Sequence, residues 1–187
     1  MSWNIVHLAD VTPTPWRNGG GVTRELVAWP SGSTDWLWRL SVAEVARSGP
    51  FSSYEGVQRW FAVLSGQGVR LQLGGKVHEL TRSSAPLCFD GASAVGCELI
   101  DGSTQDFNLM LRGARSGTRM KRLSGHDQCV LDRSRTVAVY AAGSPCMVML
   151  DHVPLPLEAH SLAWQTCAGG SVLDLCGEDA LWMEMEA

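Results

Sequence analysis

The sequence predicts an all-β protein, a sandwich or a barrel with little helix. Three observations carry this. Apolar residues alternate with small or polar ones over short runs, the period of a half-buried strand. Glycine, proline, serine and aspartate cluster between those runs, and the 187 residues include 20 glycines, as a turn-rich fold requires. No long segment keeps a helical period; the best short candidates are Ser41–Ser48 and Glu178–Glu184. At 45% hydrophobic residues, the chain can bury one substantial core or two small ones.

The first informative segment is Trp16-Arg17-Asn18-Gly19-Gly20-Gly21-Val22-Thr23-Arg24-Glu25. Three consecutive glycines allow positive φ and close approach of backbone to a ligand. The spacing is not that of a phosphate loop. It reads equally as a tight turn into a strand that starts at Val22. Asn18 offers an amide, and Arg24 and Glu25 fall on opposite faces.

Trp36 to Ala43 is the next alternating run, with Arg39, Ser41 and Ala43 on one face. The small neighbours leave room for a guanidinium. From Arg59 to Leu64, Arg59, Phe61 and Val63 share a face, opposite Trp60, Ala62 and Leu64. Val69–Leu73 follows. In Asp106 to Leu111, Phe107, Leu109 and Leu111 form an apolar face. Asp106 and Asn108 lie opposite, facing either an interior pocket or solvent. A basic stretch then holds Arg112, Arg115, Arg119, Lys121 and Arg122, which reads as a solvated connection or as a docking site for an acidic partner. Beyond it, Thr136–Ala141, Met147–Leu150 and Ser171–Leu175 again read as strands. The boundary falls between a first lobe, residues 1–112, and a second, smaller β lobe, residues 113–187.

Composition excludes several classes. A net charge of −4 and a pI of about 5.7 do not supply the positive field that nucleic acid needs. No apolar run is long enough to span a bilayer, and residues 1–20 have no signal-peptide pattern, so the expected location is cytoplasmic. The six cysteines form no C-x-x-C pair and read as small buried hydrophobes. The five histidines show no metal-pair spacing. Of 15 basic residues, all but Lys76 and Lys121 are arginine.

Residues Gly49 to Gly68 resemble the first metal motif of cupin barrels, in which two histidines and a glutamate precede an apolar strand ending at a glycine turn. With Gly66 as that turn, the glutamate position falls on Arg59. The histidine positions fall on Ser53 and Glu55, or on Ser52 and Tyr54. A guanidinium cannot ligate a divalent metal but pairs well with a carboxylate. The frame therefore reads as converted from holding a metal to holding an anion.

Together, the Trp16–Glu25 segment, Trp38-Arg39-Leu40-Ser41, Gly49-Pro50-Phe51-Ser52 with Gly56 and Arg59, and Asp106-Phe107-Asn108-Leu109-Met110 resemble the HutD/Ves family. The matches run in order through the first lobe; the second matches in general character only. The resemblance implies a cupin-like double β-barrel (a bicupin) without metal or other cofactor, linked to histidine utilisation in bacteria. The expected function is a metal-free protein that binds a small carboxylate such as formylglutamate or urocanate and regulates or limits that pathway. Arg59 is the expected charge partner, with Asn18, Arg24, Arg39, Asp106 and Asn108 around it and no catalytic residue. A homo-oligomer is left open. The competing reading is a metal-independent cupin isomerase or epimerase, which needs a general base close to its substrate. The faces above offer only Asp106, so binding is favoured over catalysis.

Since Arg59 stands where a carboxylate ligand would, the purified protein is expected to carry no stoichiometric zinc, iron or manganese. Elemental analysis after dialysis checks this, and one retained equivalent overturns it.

Overall fold

A computed structural model of the chain describes residues 2–113 and 117–186. The strands are β1 (Asn4–His7), β2 (Thr14–Pro15), β3 (Gly21–Trp29), β4 (Trp38–Val45), β5 (Gly49–Pro50), β6 (Val57–Ser65), β7 (Val69–Leu73), β8 (Lys76–Leu80), β9 (Leu87–Asp90), β10 (Val95–Leu99) and β11 (Thr104–Arg112). They continue as β12 (Arg119–Val130), β13 (Arg135–Ala141), β14 (Cys146–Leu150), β15 (Val153–Leu157), β16 (Ser161–Cys167) and β17 (Val172–Glu186). A single 3-10 turn at Leu8–Asp10 is the helix among the described residues. Both short helical candidates are strand: Ser41 lies in β4 and Glu178–Glu184 in β17. Their apolar residues pair across sheets on both sides, and that pairing outweighs weak local helical propensity.

The chain divides into two compact units, Val11–Ala114 and a second formed by Met1–Asp10 with Arg115–Ala187. The first contains a six-stranded sheet ordered β2-β3-β4-β11-β6-β9 and a four-stranded sheet ordered β5-β10-β7-β8, all neighbours antiparallel. Their inner faces meet in one core. Phe61, Val63 and Phe89 come from the larger sheet, and Val69, Leu71, Leu80, Val95 and Cys97 from the smaller. The β6–β7 turn depends on Gly66, whose φ is +89° and whose added Cβ would sit 2.5 Å from the Ser103 carbonyl oxygen.

The other unit is a seven-stranded antiparallel sheet, with β17 pairing β13 along its C-terminal half, β14 along its N-terminal half, and β12 along its length. Its core holds Trp182, Val137, Val139, Val148, Leu173 and Leu175. Residues 1–10, read from sequence as part of the first lobe, belong here: β1 pairs with β16, Asn4 opposite Trp164. Nothing local in residues 4–7 encodes so distant a partner.

Three members of the basic stretch, Arg112, Lys121 and Arg122, have partners; Arg115 lies outside the described residues. Arg112 stacks over Trp36, with its guanidinium carbon 5.1 Å from the ring centre. Lys121 lies 3.9 Å above the Trp182 ring and pairs with Asp127, and Arg122 pairs with Asp179. Of the cysteines, Cys97, Cys146 and Cys167 are buried, but Cys88 and Cys176 are exposed. They fall on the outward side of the alternation, against the expectation of burial. Among the described residues, no helix is long and apolar enough to cross a membrane.

Gly66→Ala meets both the left-handed φ and the backbone contact, so it should destabilise the protein by several kcal/mol, beyond the ~1 kcal/mol typical of an exposed site. Chemical denaturation with an unchanged m-value checks it; a loss below about 0.5 kcal/mol contradicts the geometry.

Candidate functional site

The inner face of the six-stranded sheet carries a cavity of about 600 Å³. Register places its walls. In one row, Arg39 of β4 lies opposite Met110 of β11, which lies opposite Arg59 of β6. In the next, Glu25 of β3, Ser41 of β4, Asn108 of β11 and Phe61 of β6 are successive cross-strand neighbours. Ser41 and Ala43 are small and buried, and the space above them is the cavity. The glycine-rich turn closes one side with Trp16, Arg17 and Asn18. That turn is fixed by two side-chain bonds. Trp16 donates its indole N–H to Thr23 Oγ1 at 2.8 Å, and Gly20 N–H donates to Asn18 Oδ1 at 3.0 Å. Gly21 is obligatory, because a Cβ there would lie 2.2 Å from the Glu44 carbonyl oxygen.

Arg59 is 5% exposed. Its Nη2 donates to Asn108 Oδ1 at 2.8 Å and its Nη1 to the Ser52 carbonyl at 3.4 Å, while its Nε has no partner. Aromatic faces surround the guanidinium, with Phe51, Phe89 and Tyr54 ring centres at 5.1, 5.2 and 5.9 Å. Such contacts favour a cation without neutralising it. No carboxylate ion-pairs with Arg59 among the described residues. Neither Glu55 nor Asp106 forms a salt bridge with it. Burial pulls its pKa down to about 10, which leaves it charged at neutral pH.

Arg39 also lines the cavity, but its charge is balanced: Nε donates to Glu25 Oε2 at 2.6 Å. Asn108 is 5% exposed. Its oxygen faces Arg59, so its NH₂ remains as a donor. Asn18 lines the rim. Two sequence candidates are not on the cavity wall. Arg24 points to the other side of β3 and pairs with Glu44, while Thr23 and Glu25 face inward. Alternation along β3 decides this. Asp106 shares the face of Asn108 but sits one row deeper, opposite Ala43 and Val63, and is fully buried. Its Oδ2 accepts from Thr104 Oγ1 at 2.8 Å and its Oδ1 has no partner. Burial raises its pKa to about 7, against a weaker opposing effect of the Thr104 bond. It does not line the cavity. Trp60 faces the opposite side of β6 from Arg59 and Phe61 and does not line the cavity.

Sequence reasoning passed over Glu25, Phe51 and Tyr54 as site residues. Glu25 was recoverable from the parity of β3, and Tyr54 stands at one of the cupin histidine positions. Phe51 precedes β6 in a bend, where no period signals a face.

At the cupin frame positions the cavity presents Ser52, Tyr54 and Arg59. A carbonyl, a phenol and a guanidinium do not make a divalent-metal donor set. Among the described residues, no group of three or more His, Cys, Asp or Glu side chains is placed to hold a metal ion.

Comparison with known proteins agrees with this architecture. The HutD family model matches residues 8–183. A 21.2 kDa protein from the hutC 3′ region of Pseudomonas putida is 35% identical over 141 residues, covering 75% of this chain and 74% of its own. HutD from Pseudomonas fluorescens SBW25 superposes with a TM-score of 0.83 at 29% identity, covering the whole of both chains. A cupin 2 conserved barrel domain protein from Leptotrichia buccalis shares the fold alone, with a TM-score of 0.55 at 8% identity over 98% of this chain and 96% of that one. The fold is thus all-β and cupin-like.

Asp106 yields a pH prediction. Its folded pKa lies above its unfolded value of about 3.8, so in that window the native state binds more protons than the unfolded one. Stability from this group is full below about pH 4 and falls as pH rises towards 7. Asp106→Asn should remove that slope, gaining on wild type by up to roughly 4 kcal/mol across the window. Urea unfolding of both proteins at pH 4.5 and 7.5 measures it; parallel pH profiles refute it.

Proposed function

The chain belongs to the HutD family, linked to histidine utilisation, and on that premise we propose that its first lobe is a metal-free receptor for a small carboxylate whose occupancy regulates or limits that pathway. The observation that carries this is the buried Arg59 guanidinium on a cavity wall, charged and without a counter-ion. An uncompensated buried cation is costly. A carboxylate entering the cavity relieves that cost and forms charge-assisted bonds stronger than neutral ones. The Arg59 guanidinium, the Asn108 amide and, at the rim, Asn18 are the donors it would meet. Arg39 contributes field more than charge, since Glu25 already balances it. Formylglutamate is the first candidate and urocanate the second, both small carboxylates of histidine breakdown. Binding is preferred to catalysis because Asp106, the carboxylate suggested as a base, does not line the cavity, and Glu25, which does, is tied to Arg39.

Arg59→Ala should weaken formylglutamate binding by about 2–5 kcal/mol. Arg59→Lys should recover only part of that, since an ammonium lacks the two-pronged fork. Calorimetry of the three proteins reads the binding, and thermal melting without ligand reads the fold. A folded Arg59→Ala variant that binds normally removes the anion-site reading.

A further inference from the structure

The outer face of the second unit gathers sulfur and imidazole side chains that its core does not use. On β17, Leu173 and Leu175 belong to the core, so alternation turns Asp174 and Cys176 outward. On β14, Cys146 and Val148 are core residues, which puts Met147 and Met149 on that outer face. On β12, Cys129 packs against the core, so His126 and Gln128 also face out. Register aligns them. Met147 lies opposite Cys176, which lies opposite His126; in the next row Met149, Asp174 and Gln128 follow in the same strand order.

Packing gives no reason for these residue types. Cys176 is an exposed free thiol, Met147 is 37% exposed and the His126 side chain is 62% exposed. Free cysteine is among the most buried residue types, and methionine ordinarily fills cores. Here a thiol has a thioether on one side and an imidazole on the other, directly opposed residues having Cα atoms about 4.5–5.5 Å apart. Met149 stands diagonal to Cys176, about 7–8 Å away and within reach of a long side chain. Cys146 faces the core and is 6% exposed, so it is not among the donors.

A separate observation points the same way: the imidazole is already oriented. His126 Nε2 lies 2.8 Å from Asp174 Oδ1, and Gln128 Nε2 donates to the other carboxylate oxygen at 3.2 Å. In the neutral ring, Nε2–H donates to Asp174 and Nδ1 keeps its lone pair. A carboxylate that fixes the far nitrogen of a histidine is the usual support of a metal-binding imidazole. Both rows end at prolines of β15, Pro156 and Pro154, and neither row holds a lysine or arginine.

The donors select the metal. Thiolate and thioether sulfur are soft ligands suited to copper(I). Zinc is bound by thiolate, imidazole and carboxylate, and calcium and magnesium by oxygen. We propose that this face of the second unit binds one copper(I) ion through the Cys176 thiolate, the Met147 thioether and His126 Nδ1, with Met149 as a fourth donor. Binding displaces the Cys176 proton to solvent and changes no oxidation state. Grouping His, Cys, Asp and Glu alone does not reveal the site, because two of its donors are thioethers. It lies wholly within the second unit and is independent of the carboxylate reading of the first.

Anaerobic titration of the full chain with copper(I), in competition with the chelator bicinchoninate, tests it. One equivalent should leave the chelator, with a thiolate-to-copper band in the near ultraviolet. Cys176→Ser should weaken binding about 100-fold, and Met147→Leu, His126→Gln and Asp174→Asn about 10-fold each. Cys88→Ser, at another exposed thiol, should leave binding unchanged, and circular dichroism of each variant should match the wild type. Excess zinc(II) should not displace the copper(I). Copper(I) left on the chelator overturns the site, as does undiminished binding by Cys176→Ser. A loss confined to Cys176→Ser, with Met147→Leu and His126→Gln unaffected, overturns it too, since a bare thiol then holds the metal. Displacement by zinc(II) overturns the assignment to copper(I).

Discussion

A guanidinium held away from water with no carboxylate beside it is the constraint around which the first lobe is arranged. Arg59 must be held by dipoles and π-faces instead of by a counter-charge. Asn108, the Ser52 carbonyl and the rings of Phe51, Tyr54 and Phe89 supply them. Each comes from a different place: β11, the segment before β6, and β9. The requirement therefore ties the packing of three chain segments to the electrostatics of one side chain. An ion pair would have held Arg59 more simply, but would have consumed the charge that the cavity wall presents.

The two carboxylates nearest this arrangement have different fates, set by their surroundings. Glu25 is half-exposed and accepts a hydrogen bond from Arg39 Nε. Asp106 is sealed among Val63, Ala43 and Cys97, with one oxygen unsatisfied, and holds its proton up to about pH 7. Neither competes with an incoming anion for Arg59. The sheet separates them from it by position: Asp106 by depth and Glu25 by two strands.

Much of this was legible in the sequence because a strand's period of two fixes which side chains share a face. The grouping of Arg59 with Phe61 and of Arg39 with Ser41 and Ala43 follows from parity alone; parity also set Asn108 opposite Phe107 and Leu109, but left open whether its face met an interior pocket or solvent. The turn at Gly66 followed from the cupin frame. Parity gives a face but no depth, which is why Asp106 was grouped with the site although it lies beneath it. It also gives no sign for a strand whose inner side is unknown, which is how Arg24 was selected over Glu25. The short strands β1, β2 and β5 and the bend carrying Phe51 have too few residues to show any period. The segments Ser41–Ser48 and Glu178–Glu184 resembled helix because both faces of β4 and of the end of β17 are buried, and alternation disappears when neither face meets water.

The pairing of β1 with β16 has a consequence for the order in which the chain can become structured. Asn4 meets Trp164, so β1 has no partner until the chain has been made as far as β16, more than 150 residues later. At about 5–20 residues per second, that wait is of the order of ten to thirty seconds. The cavity-bearing unit, by contrast, is one continuous stretch, Val11–Ala114, and can close its sheets while the remainder is still being synthesised. In vectorial synthesis, the cavity-bearing unit is complete while β1 is still an unpaired strand edge.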